Sequence, residues 1–380
     1  MQRKRAFMWA VAVAVLIAPP WMALGNEAQG GQAYVVSEQI GGNVWRLEDI
    51  NGDGDALDIG ERTLWGDGFT GVRGLEADAG TIYGVEEGLA DGLNQVVRLV
   101  DINGDGDALD IGERTIWADG LDDPRDVARD ASGIWYVSEF DDDLLWRLDD
   151  ANGDDDVLDI GEKTLFAEGV NGPQMILAQD GALIVAAEIG DQIHRLIDLN
   201  LDGDALDIGE NLPITPSVDF ILGLMDDGAG GFYFSSFSAD IVYHAEDRNG
   251  DGDMLDVAEV LTYADPVFSL MDGPVGMAAY DGGGFLLADS NNDQVKLVRD
   301  VNGDNDALDL GEVVLFATGI NAPADIVALT FGLPGDYNND GTVDAADYVV
   351  WRKNDGTQGG YDTWRANFGQ PLPGSGSGSA

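Results

Sequence analysis

The sequence predicts an all-β protein: a six-bladed β-propeller followed by a small helical module. One acidic motif, Asp-x-Asn-x-Asp-x-Asp-x-Leu-Asp-x-x-Glu, occurs six times at spacings of 52, 49, 48, 49 and 53 residues. Each copy lies among four short β-type runs, a pattern typical of a propeller blade. Helical repeats are excluded because the runs lack a helical period. The motifs begin at Asp49, Asp101, Asp150, Asp198, Asp247 and Asp300.

The order of the strands predicts how the ring closes. Three β-type runs, at residues 33–36, 44–47 and 63–65, precede the first turn into a new repeat. The innermost strand that this first blade lacks is supplied by residues 323–328, at the far end of the repeats. Because pairing the two ends leaves no exposed sheet edge, we expect six complete blades within residues 26–333.

The first 25 residues have the pattern of a secretory signal peptide. Three basic residues at 3–5 precede an apolar run over 6–18, and Ala23 and Gly25 supply the small residues of a cleavage site. A membrane anchor is the alternative, but a proline pair at 19–20 interrupts the run. We therefore expect cleavage after residue 25 and a secreted or cell-surface protein with no membrane span in the mature chain.

The charge balance excludes a class of partner. The 380 residues carry 71 acidic and 19 basic side chains, a net charge of −52. Binding nucleic acid requires clustered Lys and Arg, so we expect no nucleic-acid partner. The absence of cysteine excludes disulfides, thiolate metal sites and a cysteine nucleophile. We expect a folded, acidic monomer.

The acidic motifs have the ligand spacing of a calcium loop. Oxygen-bearing residues at positions 1, 3 and 5, with Gly at position 6, suit a hard cation of the size of calcium. Asp49, Asn51, Asp53 and Gly54 fit this start. The apolar anchor Leu57, the following acid Asp58 and the final Glu61 then come one residue later than in an EF-hand, so that Glu61 is at position 13. The motifs contain 31 of the 71 acidic residues, which concentrates the charge there.

We expect the residues at positions 1, 3, 5 and 13 to bind calcium directly. A fifth ligand comes from position 7 or position 10, and the sequence does not decide between them. The candidate calcium ligands of the six loops are Asp49, Asn51, Asp53, Asp55, Asp58, Glu61, Asp101, Asn103, Asp105, Asp107, Asp110, Glu113, Asp150, Asn152, Asp154, Asp156, Asp159, Glu162, Asp198, Asn200, Asp202, Asp204, Asp207, Glu210, Asp247, Asn249, Asp251, Asp253, Asp256, Glu259, Asp300, Asn302, Asp304, Asp306, Asp309 and Glu312.

Metal-free acidic turns are the alternative interpretation of these loops. Five carboxylates within thirteen residues repel one another unless a cation neutralises them, and the same spacing recurs six times, so we favour calcium. Asp155 occupies the turn position that is Gly in four loops, which makes the third loop the weakest candidate.

Several residues near the loops recur in register. An arginine stands three residues before each of the first four loops, and we expect these arginines to pair with carboxylates of a neighbouring loop. Both histidines also occupy repeat positions, which predicts a structural role for them. The residues concerned are Arg46, Arg98, Arg147, Arg195, His194 and His244.

The C-terminal segment has one complete EF-hand spacing. Its candidate ligands are Asp336, Asn338, Asp340, Thr342, Asp344 and Asp347, and a helix is expected from Ala345 to about Lys353. Tyr348, Trp351 and Arg352 are repeated thirteen residues later without a second loop.

Residues 335–370 thus resemble a type I dockerin of the kind found in secreted planctomycete-type proteins. The resemblance implies docking to a cohesin-like or cell-surface component, commonly in polysaccharide use. Packing within the chain is the other possibility. Residues 371–380 are a Gly/Ser-rich tail.

The last repeat carries a second resemblance. The run Pro-x-Gly-Met-Ala…Leu-Ala-Asp-Ser-Asn-Asn-Asp-Gln-Val, within residues 274–295, resembles NHL-type repeats, whose TolB-like relatives are six-bladed propellers.

Two functional hypotheses follow from these observations. The first is a secreted, calcium-rigidified propeller that binds a partner such as a polysaccharide, or acts as a scaffold, without catalysis. The second is a hydrolase acting on a lactone or glycan through a cation in the central channel, as in the related gluconolactonase family. Acidic residues near the ends of the second strands and on the innermost strands could hold such a cation, although the fifth blade has Ser236 in place of the acid. A simpler role for these acids is to cap turns that face water. The channel candidates are Glu38, Glu86, Glu139, Glu188, Asp289, Asp126 and Asp325.

Overall fold

The structure, a computed structural model, describes residues 32–88, 93–329, 343–354 and 358–369. Within them, 24 strands form six four-stranded antiparallel sheets, which confirms the predicted propeller. The predicted signal peptide, most of the C-terminal loop and the Gly/Ser tail lie outside the described residues.

The blades are numbered in chain order, and the strands of each are given from the centre outward. Blade 1 is β24 (Pro323–Leu329), β1 (Ala33–Glu38), β2 (Asn43–Leu47) and β3 (Arg62–Gly66); blade 2 is β4 (Val72–Asp78), β5 (Thr81–Glu86), β6 (Gln95–Val100) and β7 (Arg114–Ala118); blade 3 is β8 (Pro124–Arg129), β9 (Trp135–Glu139), β10 (Leu144–Leu148) and β11 (Lys163–Glu168); blade 4 is β12 (Pro173–Gln179), β13 (Ala182–Ala187), β14 (Gln192–Leu196) and β15 (Asn211–Pro213); blade 5 is β16 (Ile221–Asp226), β17 (Phe232–Ser236), β18 (Ile241–Ala245) and β19 (Val260–Ala264); blade 6 is β20 (Pro274–Ala279), β21 (Phe285–Asp289), β22 (Gln294–Val298) and β23 (Val313–Thr318).

The ring closes as predicted. β24 pairs with β1 in register from Ala33 opposite Leu329 to Val36 opposite Ile326, so the C-terminal strand is the innermost strand of blade 1. The six innermost strands pack side by side around the centre. Each sheet therefore has two edges, one along its innermost strand, which faces the centre of the ring, and one along its outermost strand.

The core lies between the blades. Aromatic and branched aliphatic side chains from adjacent sheets form separate buried clusters, such as the one joining Tyr83, Trp117 and Trp135. The acidic loops run between the third and fourth strands of each blade, at the rim of the ring. The fold therefore distributes six loops around the outside and places the inner-strand side chains at the centre.

Short helices complete the described structure. α1 (Pro266–Ser269) precedes β20, and Ser290–Asn292 form a 3-10 turn. α2 (Ala345–Asn354) is the helix predicted from Ala345, and α3 (Gln358–Asn367) follows it. No helix among the described residues is long and apolar enough to cross a membrane.

Candidate metal centres and channel acids

Each acidic loop is organised around its final glutamate. Glu61 is 2% exposed, and its Oε1 accepts from the backbone N–H groups of Ile50 (3.1 Å) and Asn51 (3.3 Å). Its Oε2 accepts from the N–H of Asp58 at 3.0 Å. The equivalent glutamates are buried and bonded in the same way: Glu113, Glu162, Glu210, Glu259 and Glu312.

The first aspartate of each loop turns the backbone around itself. Asp49 accepts from Gly52 N–H at 2.7 Å and from Gly54 N–H at 2.9 Å. In the fifth and sixth loops, such backbone hydrogen bonds lower the pKa of Asp247 and Asp300, because N–H donors stabilise the ionised carboxylate. These aspartates are thus held in the charged form that a cation requires.

The polar side chains of the loop converge at one point. The Asn51 amide lies 3.2 Å from Asp53 Oδ2 and 2.7 Å from Asp58 Oδ2, whereas Asp55 turns one oxygen to the N–H of Leu57. The Asn-to-Asp contact at position 10 recurs in all six loops, at 2.6–2.7 Å. Of the two alternatives for a fifth ligand, the acid at position 10 thus contacts the side chain at position 3, whereas the acid at position 7 contacts the loop backbone.

Two loops bring three carboxylates within 4.8 Å of one another. The groups are Asp150, Asp154 and Glu162, and Asp300, Asp304 and Glu312. The third loop keeps this geometry although Asp155 replaces the turn glycine, because Asp155 adopts the same left-handed backbone, with φ at +79°. The substitution that made this loop look weakest leaves its conformation intact.

The buried anchor of the loop is not the residue that the sequence indicated. Leu57 is 46% exposed, whereas Ala56, at position 8, is 3% exposed. The Ala56 N–H donates to Phe316 O, on the fourth strand of the preceding blade, at 2.8 Å. The same bond, at 2.7–2.8 Å, is made by the residues at position 8 in the other loops: Ala108, Val157, Ala205, Met254 and Ala307. Each loop thereby fastens its blade to the preceding one.

The arginines before the loops only partly pair as expected. Arg98 forms an ion pair with Asp155 of the next loop at 3.0 Å. Arg195 instead donates to the backbone oxygen of Gly252, also in the next loop, at 3.0 Å. Arg46 and Arg147 pair with Glu48 and Asp149 on their own blades, because these acids stand two residues along the same chain.

The two histidines have structural partners. His194 Nδ1 lies 2.7 Å from Asn211 Oδ1. His244 Nε2 lies 2.8 Å from Asp227 Oδ2, and its ring stacks on Tyr233. The structural role predicted for both histidines is consistent with these contacts.

Four of the channel candidates cap the turn that leads into the innermost strand. Glu38, Glu86, Glu139 and Asp289 end the second strand of their blades, are buried, and accept a backbone N–H at 2.8–3.0 Å from the residue two before the inner strand. In blade 5 the hydroxyl of Ser236 binds the carbonyl of Asp219 at that place.

Glu188 does not belong to this set. Ala187 pairs with Pro173 and Gln192, which is the register that Glu139 has with Pro124 and Leu144. Glu188 follows one residue later and accepts from the Gln174 side chain. The prediction that it ends the second strand is therefore wrong by one residue.

A charged cluster beside Glu188 was not predicted. Glu87 has the position in blade 2 that Glu188 has in blade 4, since both donate their N–H to the glycine before the inner strand. Arg73 and Arg125 both bind Glu87, and Arg125 also binds Asp123 at 2.5 Å. Burial outweighs the nearby guanidinium and raises the pKa of Asp123 to about 6. The sequence signal that could have indicated this cluster is the second acid, Glu87, directly after the channel candidate Glu86.

Asp126 and Asp325 lie on innermost strands and bridge them. Asp126 accepts from Ile176 N–H and Asp325 from Leu75 N–H, each at 2.8 Å and each on the next blade. A Cβ at Gly74 would lie 2.1 Å from Asp126 Oδ1, so glycine is required there. Burial raises the pKa of Asp325 to about 8 and that of Asp126 well above its ordinary value.

The described part of the C-terminal module is a pair of packed helices. The rings of Tyr348, Trp351, Tyr361 and Trp364 lie 5.0–6.2 Å apart. Among the predicted ligands there, Asp347 is fully buried and accepts from Asp344 N–H at 2.6 Å. The other four, Asp336, Asn338, Asp340 and Thr342, lie outside the described residues.

Comparison with known proteins gives the fold alone. No protein-family model matches the chain, and no curated protein matches it. A chain in the crystal structure of a nidogen/laminin complex is similar over 79% of this chain and 99% of its own, with 13% identity and a TM-score of 0.56. A protein of unknown function from Bacteroides caccae is similar over 79% and 99%, with 9% identity and a TM-score of 0.52. A protein from Bacteroides fragilis described as a provisional 6-phosphogluconolactonase is similar over 80% of this chain and 99% of its own, with 13% identity and a TM-score of 0.48.

Proposed function

We propose that this protein is a calcium-binding β-propeller that binds a partner or acts as a scaffold without catalysis. The observation that carries the proposal is the recurring backbone bond from position 8 of each acidic loop to the preceding blade. A loop rich in carboxylates stands at each of the six blade junctions, so a cation that orders the loops also fixes the ring.

The ligand chemistry favours calcium. The loops offer carboxylate and amide oxygens in numbers that suit a hard cation with six to eight ligands. Positions 1, 3, 5 and 13 supply four ligands, and the convergence of Asp58 on Asn51 supports position 10 as the fifth. Position 13 resembles the last acid of an EF-hand in being a buried acidic residue at the end of the loop.

The remaining parts of the proposal concern the two ends. Residues 1–25 would direct export, and the module at 335–370 would attach the propeller to a cohesin-like or cell-surface component. The packed α2–α3 pair supports a folded module there. A polysaccharide is the proposed ligand, in keeping with the resemblance of this module to dockerins.

The hydrolase hypothesis has weaker support from the geometry. Glu38, Glu86, Glu139 and Asp289 already accept backbone N–H groups within their own blades. Asp126 and Asp325 join neighbouring inner strands in the same way. Such bonds do not by themselves exclude a cation, because Glu61 makes three of them. Among the described residues, however, groups of three carboxylates come together in the third and sixth loops and not among these acids.

The number of bound calcium ions tests the proposal. The mature chain, residues 26–380, is expected to bind seven ions, six in the propeller loops and one in the C-terminal loop. Dissociation constants of about 0.1 to 1 mM are expected for extracellular loops, so calorimetry must reach several millimolar calcium. Glu61→Gln is expected to remove one ion, because it takes away the buried carboxylate of the first loop.

The matched control is Glu48→Gln, which changes an acid of the same blade outside the loop. It is expected to leave seven ions. Eight ions on the parent chain would favour a channel cation and the hydrolase hypothesis. One ion or none would contradict the assignment of the six loops.

A further inference from the structure

The repeat allows the clefts between blades to be compared position by position. The position compared is the residue four places before the last residue of the second strand. In every blade this residue pairs with equivalent positions of the inner and third strands, and its side chain faces the preceding blade. The residues at this position are Tyr34, Ile82, Trp135, Leu183, Phe232 and Phe285. Four of them are aromatic, whereas blades 2 and 4 carry isoleucine and leucine.

The cleft between blades 2 and 3 shows what fills this position. The Trp135 indole lies 4.2 Å from the ring of Tyr83 and 5.0 Å from that of Trp117, both on blade 2. The guanidinium of Arg129 lies 5.5 Å over the indole and pairs with Asp78 across the cleft at 2.7 Å. An aromatic ring and a cation thus complete this junction together.

The cleft between blades 3 and 4 is lined by equivalent aromatic side chains but lacks the indole and the guanidinium. Tyr136 and Phe166 take the places of Tyr83 and Trp117, and their rings lie 4.9 Å apart. Leu183 has the position of Trp135, and this cleft contains a cavity of about 750 Å³ that Leu183 lines. The corresponding cleft between blades 5 and 6, where the position holds a phenylalanine, has a cavity of about 390 Å³.

The cation is missing from this cleft as well. Ala178 on blade 4 occupies the position that Arg129 has on blade 3, and Asp130 on blade 3 occupies the position that Asp78 has on blade 2. Asp130 therefore faces its cleft without an arginine from the next blade. Although burial acts to raise the pKa of Asp130, hydrogen bonds from Ser132 and from the backbone outweigh it and lower the pKa. The carboxylate is therefore ionised. Its Oδ1 accepts from Ser132 and from the backbone of Ile134, and its Oδ2, which accepts from the Tyr136 hydroxyl at 3.2 Å, is the oxygen that a positive group would approach.

We propose that the cleft between blades 3 and 4 binds a small aromatic cation. The ring would lie against Tyr136 and Phe166, in the place that the Trp135 indole occupies one blade earlier. The positive group would pair with Asp130, as Arg129 pairs with Asp78. Asp180 also lines the cavity and adds to the negative charge of Asp130, whereas Asp198 and Asp202, which line it too, belong to the proposed calcium loop and are not counted here. Arg147 also lines the cavity, and its guanidinium pairs with Asp149 of its own blade at 3.5 Å.

Tryptamine is the direct probe, since it joins an indole to an ammonium group. Titration calorimetry of the mature chain in constant calcium is expected to give one site, with tryptamine binding about tenfold more tightly than indole-3-acetate. Asp130→Asn is expected to reduce tryptamine affinity about tenfold and to leave the affinity for neutral indole unchanged.

Two reciprocal double variants use the repeat as its own control. Ala178→Arg with Leu183→Trp copies the filled cleft and is expected to abolish binding, whereas Arg129→Ala with Trp135→Leu opens the other cleft and is expected to give two sites. Near-UV circular dichroism checks that each variant is folded. If a double variant does not fold, the tryptamine affinity of Asp130→Asn tests the proposal instead. The proposal is overturned if tryptamine shows no saturable binding, if the filled variant binds it unchanged, or if indole-3-acetate binds equally well.

Discussion

Removal of calcium is expected to lower the melting temperature of the mature chain by about 20 °C or more, and to unfold the propeller at moderate temperature. A ligand that binds only the folded state stabilises it by about 1.4 to 2.7 kcal/mol per site when its concentration is about 10 to 100 times the dissociation constant. Six loops would then contribute about 8 to 16 kcal/mol, which matches the whole stability of a typical domain, about 5 to 15 kcal/mol. Thermal melting in excess calcium and in excess EDTA measures the difference.

The physical reason lies in the loops and in the bonds at position 8. Without a cation, Asp49, Asp53 and Asp58 face one another around Asn51, and the same repulsion recurs in every loop. Loosening the loop also loosens the backbone bond from Ala56 to the preceding blade. Loss of calcium therefore acts on all six blade junctions at once.

Salt and magnesium separate specific binding from charge screening. About 1 M sodium chloride reduces the Debye length to about 3 Å and is expected to restore only part of the melting temperature in EDTA. Magnesium demands a stricter octahedral site and is expected to restore less than calcium at equal concentration. Equal melting temperatures in calcium and EDTA would show that the loops do not depend on a cation.

The blade number and the closure of the ring were predictable because their signals repeat. The acidic loops are local, so their spacing counts the blades, and the unpaired innermost strand at 323–328 could be assigned by elimination. β24 pairs with β1 accordingly. Periodicity carries information about architecture that a single copy of the motif would not.

The details that failed depend on register and on contacts between distant residues. The interval from the start of the inner strand to the end of the second strand is fourteen residues in blades 2 and 4 but fifteen in blades 3, 5 and 6, so counting from Pro173 could not decide between Ala187 and Glu188. The buried role of Ala56 could not be predicted, because its partner Phe316 is 260 residues away in the chain. Likewise, the spacing of Arg73, Glu87 and Arg125 does not show that the three side chains meet.

The stability of the propeller is also expected to fall as the pH rises from about 5.5 to 8, and Asp325→Asn is expected to reduce that fall by about 3 kcal/mol. Burial, with help from the nearby Glu76, raises the pKa of Asp325 to about 8. The unfolded chain releases this proton near its ordinary pKa while the folded protein retains it. Stability is thus fully present below the unfolded pKa and is lost as the pH rises through the folded one.

The neighbours of Asp325 set the controls for this experiment. Burial also raises the pKa of Glu76 to about 7 and raises the pKa of Asp126, so the single variant keeps part of the slope. The double variant, Asp126→Asn with Asp325→Asn, is expected to remove more of it. Asparagine is close in shape to the protonated acid and still accepts the N–H of Leu75. Asp141→Asn, on the exposed turn after β9, is the matched control and should retain the parent slope. Denaturant unfolding in constant excess calcium gives the free energy of unfolding at each pH, and parallel pH profiles for Asp325→Asn and the parent would mean that Asp325 is ionised in the fold.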